Sequence, residues 1–111
     1  DVANRRQRIH DDAPRVRDIL TRQQAERLRG RKLPSPNFDP VAAIDQRERV
    51  WKAAALVGGS PPKAARFVNM RRLLDGEKLI TRQRVATLLD ELDGALPADL
   101  RPQKTLLAGG E

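Results

Sequence analysis

One break inside an otherwise helical run constrains this chain more than any other stretch: Gly58-Gly59-Ser60-Pro61-Pro62, set within Val50–Leu74. Ala53 to Val57 end a helix that Gly58 can close, because glycine enters the left-handed region without a Cβ penalty. Ser60 then offers an N-cap. Pro61 and Pro62 fall in the first turn of the next helix, where a missing N–H costs nothing. That helix carries Ala64, Phe67, Val68, Arg71 and Leu74 on one broad face. The centre of the chain is therefore a helical hairpin, and the rest must pack on it.

The remainder reads as helices and connectors. Residues 1–10 are Arg-rich and fit a short helix, or an arm that orders on a partner. Asp11 or Asp12 caps a helix with Pro14 in its first turn and Val16, Ile19 and Leu20 on its apolar face. Thr21-x-x-Gln24 matches a capping box, which predicts a restart there and an end at Gly30. Arg31 to Asp39 holds two prolines and no helical period, so it is an extended connector anchored by Leu33 and Phe38. Asp39-Pro40 opens a helix to Val57, with an Asp45–Arg49 pair on its wet side. Gly76 stops the helix after Ser60. Thr81 caps another that uses Val85, Leu88, Leu89 and Leu92 and stops at Gly94. Leu96, Leu100, Leu106 and Leu107 are candidates to dock the tail.

These readings predict an all-α fold: a compact bundle of about five helices with an extended Pro-containing connector, and no strand. The expected domain plan is a basic arm or short helix at 1–10, a helical domain at 11–96 and a C-terminal tail at 97–111. The expected core is Ile44, Trp51, Leu56, Phe67, Val68, Leu74, Val85, Leu88 and Leu92.

Composition removes several function classes. The 111 residues include no cysteine and one histidine, His10, so thiolate metal sites and most catalytic dyads are excluded. Asp11 and Asp12 beside His10 read as helix caps rather than a site. There is no phosphate-cradling Gly-rich loop. No catalytic, cofactor-binding or metal site is expected, and the chain is expected not to be an enzyme. Nothing resembles a signal peptide or membrane span, so a cytoplasmic protein without a membrane partner is the expectation. The missing initiator Met fits a piece of something longer.

Charge points to a partner. With 22 basic and 15 acidic residues the net charge is +7, which suits an acidic protein surface or nucleic acid. Residues 1–32 hold ten basic and five acidic side chains, so the candidate contacts there are Arg5, Arg6, Arg8, Arg15, Arg22 and Arg29. Lys63, Arg66, Asn69, Arg71 and Arg72 form a second candidate set. The three aromatics, Phe38, Trp51 and Phe67, are too few for a base-stacking platform.

The run Leu56-Val-Gly-Gly-Ser-Pro-Pro-Lys-Ala-Ala-Arg-Phe-Val-Asn69, followed by Met-Arg-Arg-Leu-Leu74, resembles the helical C-terminal, lid-like region of KAP-type and AAA-like P-loop NTPases. Those regions carry a Gly-Asn/Ser-Pro-Arg start and an Arg-Phe-x-Asn helix. The likeness spans about 20 residues. Here Pro62 occupies the position of the arginine that can sense nucleotide phosphate, so that role does not carry over. The P-loop is absent from this chain. The resemblance implies a non-catalytic helical interaction module, docked to a larger assembly through a basic surface.

The same residues are also similar to a DNA-binding helix-turn-helix, in which Ser60, Lys63, Arg66 and Asn69 would face DNA and Arg71 and Arg72 would meet phosphate. A third reading is two helices packed at a tight turn with no ligand. The first two differ in one testable way. DNA reading needs Lys63, Arg66 and Asn69 exposed together, whereas a lid-like module turns Arg66 or Asn69 inward onto backbone groups.

Overall fold

The computed structural model describes residues 2–32 and 35–102, the Val2 side chain apart. Among these residues the fold is all-helical: α1 (Val2–Leu28), α2 (Pro40–Leu56), α3 (Pro61–Leu74), α4 (Arg82–Ala95) and a 3-10 turn at Ala98–Leu100. Leu33, Leu106 and Leu107 lie outside the described residues.

Four α-helices stand where about five were expected, because the expected arm or short helix at 1–10, the helix from Asp11 or Asp12 and its restart at Thr21 are one helix, α1. Pro14 sits inside α1, not in a first turn. A proline at such a position removes the hydrogen bond to the carbonyl four residues back and costs about 3 kcal/mol. Packing offsets it. Ala13, Val16, Leu20 and Gln24 are buried, and Ile9 and Ile19 pack against the core. The stripe at 9, 13, 16, 20 and 24 runs straight past the proline, whose own side is exposed. The proposed caps are used differently. Asp11 accepts a hydrogen bond from Gln7, one turn back. Thr21 Oγ1 donates to the Arg17 carbonyl at 2.7 Å.

Other helix ends follow the sequence closely. Asp39 Oδ1 accepts from the Val41 and Ala42 amides at 3.0 and 3.2 Å. Thr81 Oγ1 accepts from the Arg84 amide at 3.1 Å. Ser60 stands at the α3 N-cap without a side-chain cap bond, and Pro61 and Pro62 open the helix. Gly76 (φ 71°) ends α3, with the Glu77 amide donating to the Arg72 carbonyl at 2.8 Å. Gly58 (φ 71°) ends α2 the same way, as the Gly59 amide reaches the Ala54 carbonyl at 2.7 Å. Gly94 is not a stop. It lies within α4, which ends before Pro97 because Leu96 is held extended.

Helix α2 packs against each of the other three, and α3 also packs on α4. The core joins Val50, Trp51 and Ala54 of α2 to Val16 and Leu20 of α1, Ala64 and Val68 of α3, and Val85, Leu88, Leu89 and Leu92 of α4. Leu96 and Leu100 are buried too, so the residues after α4 close one end of the bundle. Trp51 Nε1 donates to the Leu100 carbonyl at 2.6 Å and fixes that closure.

Three expected core residues are not in the core. Leu56 is half-buried, while Phe67 and Leu74 are exposed. The reason is the lining of α3. Its inward face is Ala64, Ala65 and Val68, small side chains that let the helix sit close to α2 and α4. The larger side chains are left pointing away.

Candidate interaction surface

The outer face of α3 is the most unusual surface of the molecule. Phe67, Met70, Leu73 and Leu74 expose 49, 67, 69 and 79% of their surface, and Leu79 beyond the helix exposes 53%. Single exposed hydrophobics need no explanation, but a cluster of large ones does. Phe67, Met70 and Leu74 follow the i, i+3, i+7 spacing of one helix face. Two grooves flank that face. One, of about 470 Å³, runs between α3 and the N-terminal part of α1, lined by Ile9, Leu56, Phe67 and Val68 with Arg6, Arg49, Lys52 and Arg71. The other, of about 570 Å³, is lined by Met70, Leu73, Leu79 and Ile80 with Arg66 and Arg82. Every charged residue lining either groove is a cation.

Asn69 decides how α3 meets the following segment. Its Nδ2 donates to the Ile80 carbonyl at 2.9 Å, and the Ile80 amide donates to its Oδ1 at 2.8 Å. The side chain thus mimics a peptide group and pins the buried Ile80 against α3. Lys63 and Arg66 are exposed, whereas Asn69 is half-buried and turned to backbone. The three do not form one solvent-facing row. Asn69→Ala strands both backbone groups of Ile80 and is expected to destabilise the fold by about 1–3 kcal/mol. Denaturant unfolding checks the magnitude, and faster exchange of the Ile80 amide checks the site.

The predicted basic residues divide among different roles. Arg5 donates to the Leu56 carbonyl at 2.9 Å, stitching α1 to the end of α2. Arg6 lines the groove beside Phe67, while Arg8 lines a separate cleft beside Trp51 and Leu100. Arg15 pairs with Asp99 at 3.1 Å and Arg22 with Asp18 at 3.0 Å. Arg29 is exposed after the end of α1. Arg71 pairs with Asp75 at 3.1 Å. Arg72 is half-buried, near Glu77 at 3.6 Å and bonded to the Lys78 carbonyl. Of the ten basic side chains in residues 1–32, Arg5, Arg15, Arg17 and Arg22 are held in contacts within the chain.

Arg17 shows this most clearly. Its Nη1 reaches Asp45 at 2.6 Å and Glu48 at 2.7 Å, bridging α1 and α2. The hydrogen bonds to Glu48 and then Asp45 raise its pKa above the ordinary arginine value. The expected Asp45–Arg49 pair is replaced by this bridge, and Arg49 instead faces Glu77 at 3.5 Å. Arg47 spans α2 and α4 through Glu91 at 3.1 Å.

A second cationic region borders α2 and the end of α1. A cleft of about 790 Å³ is lined by Arg27, Arg31, Lys32, Arg47, Arg49, Arg72 and Arg84, against Asp39, Asp45 and Glu77. Acidic side chains share this cleft, unlike the grooves beside α3.

The apolar members of the α3 surface, Met70, Leu73 and Leu79, are not among the sequence-predicted contacts, and Phe67 and Leu74 were assigned to the core. A signal was available: α3 pairs an Ala-rich stripe with a bulky one, and only one of two apolar stripes can face the bundle. Among the described residues no group of three or more His, Asp or Glu side chains is placed to hold a metal, and no helix is long and apolar enough to cross a membrane. Comparison with protein families, curated proteins and solved structures finds no match to this chain.

Proposed function

We propose that this chain is a non-catalytic helical interaction module that docks to a larger assembly through the outer face of α3. The observation that carries the reading is the exposed row Phe67, Met70, Leu73 and Leu74, flanked by grooves whose charged lining is entirely cationic. A patch of this kind is unfavourable in water and is normally covered when the protein works. The inward turn of Asn69 fits the lid-like resemblance, in which that helix packs on its own scaffold. It also weighs against a DNA-reading helix, which needs Asn69 beside Lys63 and Arg66 on the open face.

Two measurements test the proposal. A labelled random-sequence duplex, titrated across a salt series by fluorescence anisotropy, is expected to give no micromolar binding at physiological salt. Steeply salt-dependent binding that Lys63→Ala and Arg66→Ala abolish would replace the proposal with DNA recognition. In the native cell, a photocrosslinker at Met70 is expected to give a discrete protein adduct that one at Thr87, an exposed position on α4 outside the groove lining, does not. The double variant Met70→Gln, Leu74→Gln is expected to lose assembly binding while shifting stability by no more than about 0.5 kcal/mol, since both side chains face solvent.

A further inference from the structure

We infer that the segment received by the α3 face is an acidic amphipathic helix, and not a second copy of this chain or a basic partner. The inference rests on the interaction reading above and adds the chemistry of the occupant.

Shape argues for a helix. The apolar row from Phe67 to Leu74, with Leu79 beyond it, is flanked by a groove on each side. A ridge between two grooves is the complement of a helix that sets apolar side chains at i, i+3, i+4 and i+7 astride it.

Charge selects the sign. Helix α3 holds Lys63, Arg66, Arg71 and Arg72 and no acid. Among the described residues Arg6, Lys63, Arg66 and Arg82 make no ion pair, so four cations around this face are without a carboxylate partner. Arg71 is paired with Asp75, while Arg49 and Lys52 share Glu77 and Glu48 with Arg72 and Arg17. A partner helix with Asp and Glu flanking its apolar stripe would meet Arg6 on one side and Arg66 and Arg82 on the other. Two copies of the face would instead bring together two α3 helices that each hold four cations and no acid, and like charges across an interface are costly. The chain's own residues 103–111 carry one lysine and one glutamate, which is no complement either.

The test uses the whole chain and two synthetic peptides of about 18 residues, five helical turns. Both carry the same leucine stripe. One has glutamate flanks and the other lysine flanks. In a titration followed by amide NMR, the acidic peptide is expected to perturb residues 62–82, with Thr87 and Asp90, exposed further along α4 and outside the groove lining, unmoved. It is expected to bind at least about tenfold more tightly than the basic peptide at low salt, the gap narrowing as salt rises. Arg66→Glu with Arg82→Glu, both at exposed sites, is expected to reverse the preference with the melting temperature unchanged. Leu74→Gln is expected to weaken both peptides.

Equal binding of the two peptides would overturn the charge assignment while leaving apolar docking on α3 intact. No perturbation of residues 62–82 by the acidic peptide would overturn the proposal outright. The crosslink at Met70 would still decide the broader interaction reading separately. A dimer in sedimentation that Leu74→Gln dissociates would assign the face to self-association and equally overturn it.

Discussion

Replacing Trp51 with alanine is expected to destabilise the protein by about 3–5 kcal/mol, the range for deleting a buried aromatic side chain. Two contributions add. The indole is 3% exposed within the core formed by all four helices, so its removal leaves a large cavity. It also donates from Nε1 to the Leu100 carbonyl at 2.6 Å, and that bond holds the closing 3-10 turn onto α2. Trp51→Phe separates the two effects. It keeps most of the packing and leaves the Leu100 carbonyl without its donor, so about 1–3 kcal/mol is expected. Denaturant unfolding of both variants measures the ratio. For a chain of this size, the alanine variant is expected to melt more than about 10 °C below the parent. A Trp51→Ala variant within about 1 kcal/mol of the parent would mean that the tryptophan does not organise this core.

Leu88→Ala is expected to cost about 2–5 kcal/mol, towards the upper part of that range. Leu88 and Leu89 are fully buried, and Leu92 nearly so, on the stripe by which α4 meets α2 and α3. Two close-packed helices surround the site, which limits how far it can collapse around the cavity. The paired control is Leu74→Ala, the same chemical deletion at a residue 79% exposed, where a change within about 0.5 kcal/mol is expected. The contrast between these two leucines, measured by the midpoint of denaturant unfolding at constant slope, directly tests the orientation of α3 and α4. Equal costs at both positions would contradict the placement of α3's outer face.

Local chemistry made much of the fold legible. Asp39-Pro40, Thr81, Gly58 and Gly76 act within a few residues of themselves, through caps and left-handed glycines, and each does what its neighbours in sequence imply. Val85, Leu88 and Leu92 were readable as core because α4 has only one apolar stripe. Thr21 was not readable. The same hydroxyl can cap a new helix or bond back to a carbonyl four residues earlier, and the choice depends on whether the helix continues. Pro14 was misplaced for a related reason. Its local cost is offset by the burial of Ala13, Val16 and Leu20 on either side of it, which a local reading does not register.

The excess of positive charge was legible in the sequence, and its pairing across helices was not. Ten basic residues lie in the first 32, and Arg15 and Arg17 pair with acids of other elements while Arg5 is on a carbonyl of α2. Pairing across helices depends on which faces meet, and spacing along the chain carries no record of that. The apolar half of the candidate surface was hidden by the opposite error, since Phe67 and Leu74 look like core residues by type.

The sequence by itself determined the helices, most of their ends, the hairpin at Gly58–Pro62 and the excess of positive charge. All of these depend on interactions within a turn or two, or on a sum over residues. Tertiary structure alone decided that α1 runs unbroken through Pro14, that Asn69 clamps Ile80, and that α3 turns its alanines inward and its large apolar side chains out. The physical reason is that a helix with two apolar stripes can bury only one against a given bundle. Close approach to α2 and α4 favours the smaller stripe, so the exposed surface proposed for docking is a product of packing rather than of composition.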